Sequence, residues 1–113
     1  MYEYKAKLDR VIDGDTVDCF IDLGFNINIK ERVRLKGIDT PETRTRDLEE
    51  KAKGLAAKDR VIELFDGVEE FHIKTTLDKK GKYGRILGTI ILPDHTISLN
   101  DILLQEGHAV VYA

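Results

Sequence analysis

The chain has 113 residues, of which 42% are hydrophobic and 35% charged, and its formal net charge is −3. This length suits one domain that buries its own core, and the composition excludes a disordered chain. The single cysteine, Cys19, excludes an internal disulfide, and no apolar run is long enough to cross a membrane. Because the first residues lack the apolar stretch of a secretory signal, we expect a cytoplasmic protein, or a secreted one had a signal been removed.

The first part of the chain alternates between apolar and polar residues with the two-residue period of a β-strand. Strands are predicted at residues 4–13, 16–23 and 26–36. The apolar positions of the second and third strands share a core face: Val17, Cys19, Ile21, Leu23, Ile27, Ile29, Val33 and Leu35. Glu31 interrupts this pattern and predicts either a bulge or the end of burial.

Helices and further strands are predicted in the rest of the chain. Residues 47–65 carry an apolar stripe with helical spacing, although Gly54 weakens its first half. Strands at residues 68–77 and 86–92 follow, joined by a basic loop that contains two glycines. A short helix is predicted at residues 99–106, with Ser98 or Asn100 as its N-cap and Gly107 as its stop.

The basic residues are concentrated in two segments. Residues 30–46 hold six basic and three acidic side chains, and residues 79–85 hold four basic and no acidic ones. These segments carry +7, so the remainder of the chain carries −10. A phosphate-binding surface would need such local positive charge, although a pair of solvated lysine-rich loops would also explain it.

Three short segments contain the residue types that phosphodiester chemistry requires. They are Ile-Asp-Gly-Asp-Thr at 12–16, Arg-Leu-Lys-Gly-Ile-Asp-Thr-Pro-Glu-Thr at 34–43 and Lys-Tyr-Gly-Arg at 82–85. Carboxylates can bind a hard divalent cation or act as a base, and arginine can hold a phosphate through its planar fork of donors. Taken singly, Asp-Gly and Asp-Thr-Pro are also common turn sequences.

Taken together, in this order and at this spacing, the three segments resemble the staphylococcal nuclease (thermonuclease) family. The resemblance extends from about Val11 to Gly107. It implies a single domain over residues 1–113, of the α+β class and mainly β, built as a five-stranded oligonucleotide-binding (OB) barrel with covering helices. The order of predicted strands and helices is compatible with that fold.

The resemblance also implies roles for individual residues. Asp15, Asp39 and the backbone carbonyl of Thr40 would bind one Ca²⁺. Glu42 would orient or deprotonate the attacking water, while Arg34 and Arg85 would hold the phosphate. Lys82 and Tyr83 match residues that contact a terminal phosphate of a bound nucleotide. Relatives have a substrate-contacting tyrosine beyond a glycine similar to Gly107, and the position of Tyr112 differs from that spacing by about one residue. Asp13 matches a family carboxylate that could support the metal ligands, and a turn role explains it equally well.

The implied activity is a Ca²⁺-dependent phosphodiesterase that cuts DNA and RNA with low sequence specificity and leaves 3′-phosphate products. The alternative is a non-catalytic OB module that binds single-stranded nucleic acid through a basic groove and aromatic side chains. We expect nucleic acid as the partner, with no membrane and no obligate protein partner.

Overall fold

A computed structural model describes residues 2–78 and 85–112, with Asp78 and Arg85 described in their backbone only. Its elements are β1 Tyr2–Asp13, β2 Thr16–Asp22, β3 Asn28–Leu35, β4 Ile38–Asp39, α1 Leu48–Phe65, β5 Phe71–Asp78, β6 Arg85–Ile91, α2 Leu99–Gln105 and β7 Val110–Val111. Neither helix in these ranges has the length and hydrophobicity that a transmembrane segment needs.

The five long strands close into a barrel in the order β1-β2-β3-β6-β5. Strands β3 and β6 are parallel, and the other neighbours in the barrel are antiparallel. This confirms the predicted α+β, mainly β, five-stranded barrel. The two-residue strands β4 and β7 pair with each other outside the barrel and were not predicted.

The barrel interior holds most of the apolar residues that the alternation assigned to it, including Val17, Cys19 and Val33. The prediction is wrong for three residues around the β2–β3 hairpin loop: Leu23, Ile27 and Ile29 are 42%, 53% and 36% exposed. They lie where β2 and β3 extend beyond the packed core. Pairing of β2 with β3 is continuous from Asn28 to Arg34, so Glu31 marks the end of burial rather than a bulge.

Helix α1 begins at Leu48, with Asp47 as its N-cap, and buries one face that includes Ala57 and Val61. Gly54 lies on this face. A methyl group at Gly54 would lie 2.7 Å from the backbone carbonyl oxygens of both Pro41 and Glu42. The glycine therefore permits the helix to approach the backbone of residues 41–42, a reason for its presence that helix propensity does not give.

We expect Gly54→Ala to lower the free energy of unfolding by about 1–3 kcal/mol, the usual cost of overpacking. The gain in helix propensity, about 1 kcal/mol, should offset only part of it. Urea denaturation would measure the difference. Ala56→Gly, at an exposed position of the same helix, is the control that measures helix propensity without packing. A Gly54→Ala protein more stable than the parent would contradict the packing argument.

Helix α2 is capped by Ser98, whose hydroxyl accepts a hydrogen bond from the Asp101 N–H at 3.1 Å. Asn100, the other candidate cap, is buried and connects the helix to the barrel instead. Its amide donates to the carbonyls of Lys36 and Gly88 at 2.9 and 3.0 Å, and its oxygen accepts from the Ile90 N–H at 3.2 Å.

Candidate active site

Arg34, near the end of β3, lies between two of the carboxylates that the sequence singled out. Its Nη1 is 3.3 Å from Asp15 Oδ2, and its Nη2 is 3.1 Å from Asp39 Oδ1. Nη2 also donates to the Ile38 carbonyl at 3.3 Å. The side chain is 19% exposed. The guanidinium is therefore oriented by two carboxylates while part of it stays open to solvent.

Asp15 is held rigidly in the two-residue turn that joins β1 and β2. Its Oδ1 accepts from the Thr16 hydroxyl at 2.9 Å, and its Oδ2 accepts from the Thr40 N–H at 3.3 Å. A methyl group on the preceding Gly14 would lie 2.8 Å from the Ala57 methyl and 3.0 Å from the Thr40 hydroxyl. Close packing against α1 therefore fixes the turn, and the Asp-Gly-Asp segment is a turn that also holds the Asp15 carboxylate beside Arg34.

The segment from Asp39 to Thr43 begins in the short strand β4, where Asp39 pairs with Val110 of β7. The Thr43 hydroxyl donates to the Asp13 carboxylate and ties the segment to the end of β1. Asp13 is therefore a positioning carboxylate at this turn. Asp39 is half-exposed, with 44% of its side chain accessible.

Glu42 is exposed and lines an open cleft of about 510 Å³ together with Asp39 and Thr40. The first turns of α1 form another wall of this cleft, with Asp47, Glu49, Glu50 and Lys53. The base predicted from the sequence therefore faces solvent beside one of the predicted metal ligands.

Tyr112 also lies at the site. Its ring centroid is 5.2 Å from Arg34 Cζ, within the range of a cation–π contact. Its N–H donates to the Gly37 carbonyl at 2.9 Å, next to the β4–β7 pair. The structure thus places together Asp15, Arg34, Asp39, Thr40 and Tyr112.

The third segment is only partly described. Lys82 and Tyr83 lie outside the described residues. Arg85 is described in its backbone as the first residue of β6. The next two residues, Ile86 and Leu87, pair with Val33 and Arg34. The strand register therefore brings the backbone of Arg85 beside the strand that carries Arg34.

The donors at the site suit a hard divalent cation. Asp15 and Asp39 converge on one guanidinium, so two negative charges face one positive charge. Oxygen ligands of this kind are preferred by Ca²⁺ and Mg²⁺, which complete their shells with carbonyls, water or phosphate. Among the described residues, no group of three or more His, Cys, Asp or Glu side chains converges as a closed metal cage. Asp15 and Asp39 therefore supply two of the oxygen ligands that such a cation would need.

A further buried carboxylate belongs to Asp18 on β2, a residue that the sequence analysis did not single out. It accepts from Arg32 Nε at 2.8 Å and Nη2 at 3.2 Å, and from Arg10 Nε at 3.4 Å. These hydrogen bonds, from Arg32 above all, outweigh the effect of burial and lower the pKa of Asp18. Arg10, Asp18 and Arg32 lie side by side on β1, β2 and β3. This row could not be found from the sequence, because it depends on how the three strands pair.

The lowered pKa gives Asp18 a pH-dependent contribution to stability. A carboxyl group whose pKa is lower in the folded state stabilises the fold above its unfolded pKa, about 4, and this contribution disappears as the pH falls through the folded value. We expect Asp18→Asn to be less stable than the parent at neutral pH, with the difference shrinking in acid below about pH 4. Urea denaturation across pH would test this, and a constant difference would contradict it.

Next to Asp18, Cys19 lies fully buried inside the barrel. Burial, with smaller contributions from Asp18 and Glu31, raises the pKa of its thiol to about 12. The thiolate form is thereby disfavoured, and Cys19 is a core residue.

The closed five-stranded barrel with its two helices is an OB-like α+β fold, and it presents an arginine between two carboxylates with a tyrosine ring beside it. Residues 32–113 match the family model described as staphylococcal nuclease homologue. The chain belongs to that family, which confirms the resemblance inferred from its three segments.

Individual relatives are named as nucleases. The chain is 29% identical over 115 residues to the endonuclease YhcR of Bacillus subtilis (strain 168), a match that covers 97% of this chain and 9% of YhcR. It is 35% identical over 106 residues to the SPbeta prophage-derived endonuclease YokF of the same organism, covering 94% of this chain and 33% of YokF. With the thermonuclease of Staphylococcus intermedius it shares 35% identity over 100 residues, covering 88% of this chain and 55% of that protein. The chain thus spans well under two thirds of these relatives.

Proposed function

We propose that this chain is a nuclease domain that hydrolyses phosphodiester bonds of DNA and RNA in a Ca²⁺-dependent reaction. The observation that carries the proposal is the partly exposed Arg34 guanidinium, held between Asp15 and Asp39. Family membership and the nuclease names of the relatives support it.

In this proposal each residue acts on the charge of the phosphate. Asp15 and Asp39 fix the guanidinium of Arg34 so that its exposed edge meets a phosphate oxygen without reorganisation. Arg85 would supply a second guanidinium to the same phosphate. Glu42, exposed at the cleft beside Asp39, would orient the attacking water and accept its proton at a carboxylate oxygen.

The proposed cation would be held by Asp15, Asp39 and the carbonyl of Thr40, and it would supply positive charge against the phosphate oxygens when bound. Lys82, Tyr83 and Tyr112 would contact the substrate around the scissile group. Since these contacts are directed at phosphate, cleavage should show little base preference, with 3′-phosphate products as the family resemblance implies.

A second candidate is a non-catalytic single-strand binder on the same barrel. The basic residues flanking the site would serve it equally well. Binding alone gives no physical reason for carboxylates beside the phosphate-binding arginine, because they repel the ligand. The exposed Glu42 next to Asp39 therefore favours catalysis.

One experiment separates the nuclease from the single-strand binder. Purified protein is incubated with single-stranded DNA or RNA in Ca²⁺, in Mg²⁺ and in a chelator, alongside Glu42→Gln. We expect cleavage by the parent with Ca²⁺ only, and turnover lowered roughly 10²-fold or more in Glu42→Gln with oligonucleotide binding retained. Glu50→Gln, which changes a carboxylate of the same cleft, should behave as the parent. Binding without cleavage under every condition would favour the single-strand binder.

A further inference from the structure

We propose that two copies of this chain associate through an apolar patch at the hairpin end of the barrel, each inserting Phe25 into a cleft of the other. The apolar patch is defined by six exposed hydrophobic side chains: Tyr2, Leu23, Phe25, Ile27, Ile29 and Leu77. They belong to the start of β1, the β2–β3 hairpin and the end of β5. None of them is a residue assigned to phosphate chemistry, so the association does not depend on the proposed nuclease function.

Phe25 is the most exposed residue of the apolar patch and has a strained backbone. It lies at the tip of the β2–β3 hairpin, is 97% exposed and has a φ of 54°. A positive φ is unusual for a bulky residue and costs free energy that glycine would avoid. The hairpin holds this conformation, because the Leu23 N–H donates to the Ile27 carbonyl and the Ile27 N–H to the Gly24 carbonyl, both at 2.9 Å. A strained and exposed aromatic ring at a hydrogen-bonded tip indicates a binding role.

An open cleft of about 590 Å³ lies beside this tip. The apolar patch contributes Tyr2, Leu23, Ile29 and Leu77 to its lining. Leu23 lies only two residues before Phe25, so the cleft and the ring are neighbours on one surface. Among the described residues that line the cleft, none is charged. An apolar cleft of this volume has room for a phenyl ring.

A projecting ring beside an apolar cleft makes the patch complementary to a second copy of itself. In a dimer with two-fold symmetry both chains use the same surface, so each contact is made twice. Phe25 of one chain would enter the cleft of its partner, and the partner's Phe25 would enter the cleft of the first chain. Because the described lining is uncharged, this exchange brings no like charges together inside either cleft.

The exposed area of the apolar patch also matches what a dimer requires. A buried aromatic side chain covers about 150–250 Å², so Tyr2 and Phe25, at 71% and 97% exposure, present on the order of 300 Å². The four aliphatic residues are 36–60% exposed and raise the total to roughly 500 Å² or more. A standard interface takes about 800 Å² from each partner, and about 65% of a homodimer interface is apolar. The patch therefore supplies the apolar part of one side of such an interface.

The proposed dimer leaves both candidate active sites open. Ile27 precedes β3, whereas Arg34 is its penultimate residue. The seven residues from Ile27 to Arg34 span roughly 23 Å of extended chain. A second copy seated on the apolar patch would therefore lie at the far end of β3 from Arg34. The assembly would carry two sites that remain accessible to substrate.

The first test is sedimentation velocity at about 1–100 μM, a range that spans the Kd of a modest interface. We expect the parent to shift from the 12.9 kDa of one chain toward twice that mass. Phe25→Gly removes two rings from each dimer, at about tenfold for each ring, and should weaken the dimer roughly hundredfold. It should fold at least as well as the parent, because glycine accepts the positive φ. Leu48→Ser, at an exposed position of α1 outside the apolar patch, is the control and should leave the dimer unchanged.

A mixing experiment tests the exchange of rings itself. Leu77→Glu places a charge in the cleft and keeps Phe25, whereas Phe25→Gly keeps the cleft and lacks the ring. Each variant alone therefore loses both contacts of the dimer. A mixed pair retains one contact, the Phe25 ring of the Leu77→Glu chain in the cleft of the Phe25→Gly chain. We expect the mixture to associate about tenfold more tightly than either variant alone.

Three results would overturn the proposal. The first is a parent that stays at the mass of one chain over the whole concentration range, and binding of that monomer to phosphatidylcholine vesicles would assign the apolar patch to a lipid surface instead. The second is a mixture that associates no more tightly than its two components. The third is a dimer that Leu48→Ser weakens as much as Phe25→Gly does, which would place the interface elsewhere.

Discussion

Asp15→Asn is expected to abolish most nuclease activity while leaving the protein folded. The carboxylate accepts hydrogen bonds from the Thr16 hydroxyl and the Thr40 N–H, and it forms an ion pair with the Arg34 guanidinium. An amide of the same shape keeps one acceptor oxygen, but it removes the negative charge and turns the other oxygen into a donor that faces donors. Both Arg34 and the proposed cation lose a charged partner at once. We expect a loss of roughly 10²–10³-fold in kcat.

Calorimetric titration with Ca²⁺ and single-turnover cleavage would measure the two consequences of Asp15→Asn separately. Asp13→Asn is the matched control, since the same change two residues away leaves an oxygen that can accept from the Thr43 hydroxyl. The control should keep Ca²⁺ binding and most activity. Parental turnover in Asp15→Asn would remove Asp15 from the proposed site.

The barrel was predictable because its signals are local. Alternation marked β2 and β3, and an apolar stripe with helical spacing marked α1. The errors lie where burial depends on the third dimension. Leu23 and Ile27 alternate like core residues, but they lie at the β2–β3 hairpin beyond the barrel core, where about half of each side chain stays exposed. Gly54 read as a weak point in a helix, yet it is the place where α1 meets the backbone of Pro41 and Glu42.

The site was predictable to the extent that its residues cluster in the sequence. Asp15, Arg34 and Asp39 came from recognisable segments, and the structure joins them through one hydrogen bond and two ion pairs. The position of Tyr112 depends on the β4–β7 pair, two strands too short to show a period. Asp18 and its two arginines depend on cross-strand register, which composition does not encode.

Arg34→Lys should separate the need for a positive charge from the need for a planar fork. The Arg34 guanidinium reaches Asp15 Oδ2 with Nη1 and Asp39 Oδ1 with Nη2. A lysine ammonium is a single point of charge, so it cannot span both carboxylates and also present a donor pair to a phosphate. We expect kcat/KM to fall roughly 10²-fold, with weaker binding of a nucleotide inhibitor that carries two phosphates.

The matched control is Arg60→Lys, because Arg60 also contacts carboxylate oxygens with two of its guanidinium nitrogens, donating to Glu106 at 2.7 and 2.9 Å between α1 and the end of α2. Both variants replace a guanidinium that makes two contacts to carboxylate oxygens. Any loss of stability from that replacement should appear in both proteins, whereas only Arg34→Lys should lose activity. Thermal unfolding of both proteins and steady-state cleavage of single-stranded DNA would give the comparison. Near-parental kcat/KM in Arg34→Lys would mean that charge alone suffices at this position. The orientation imposed by Asp15 and Asp39 would then have another purpose than phosphate binding.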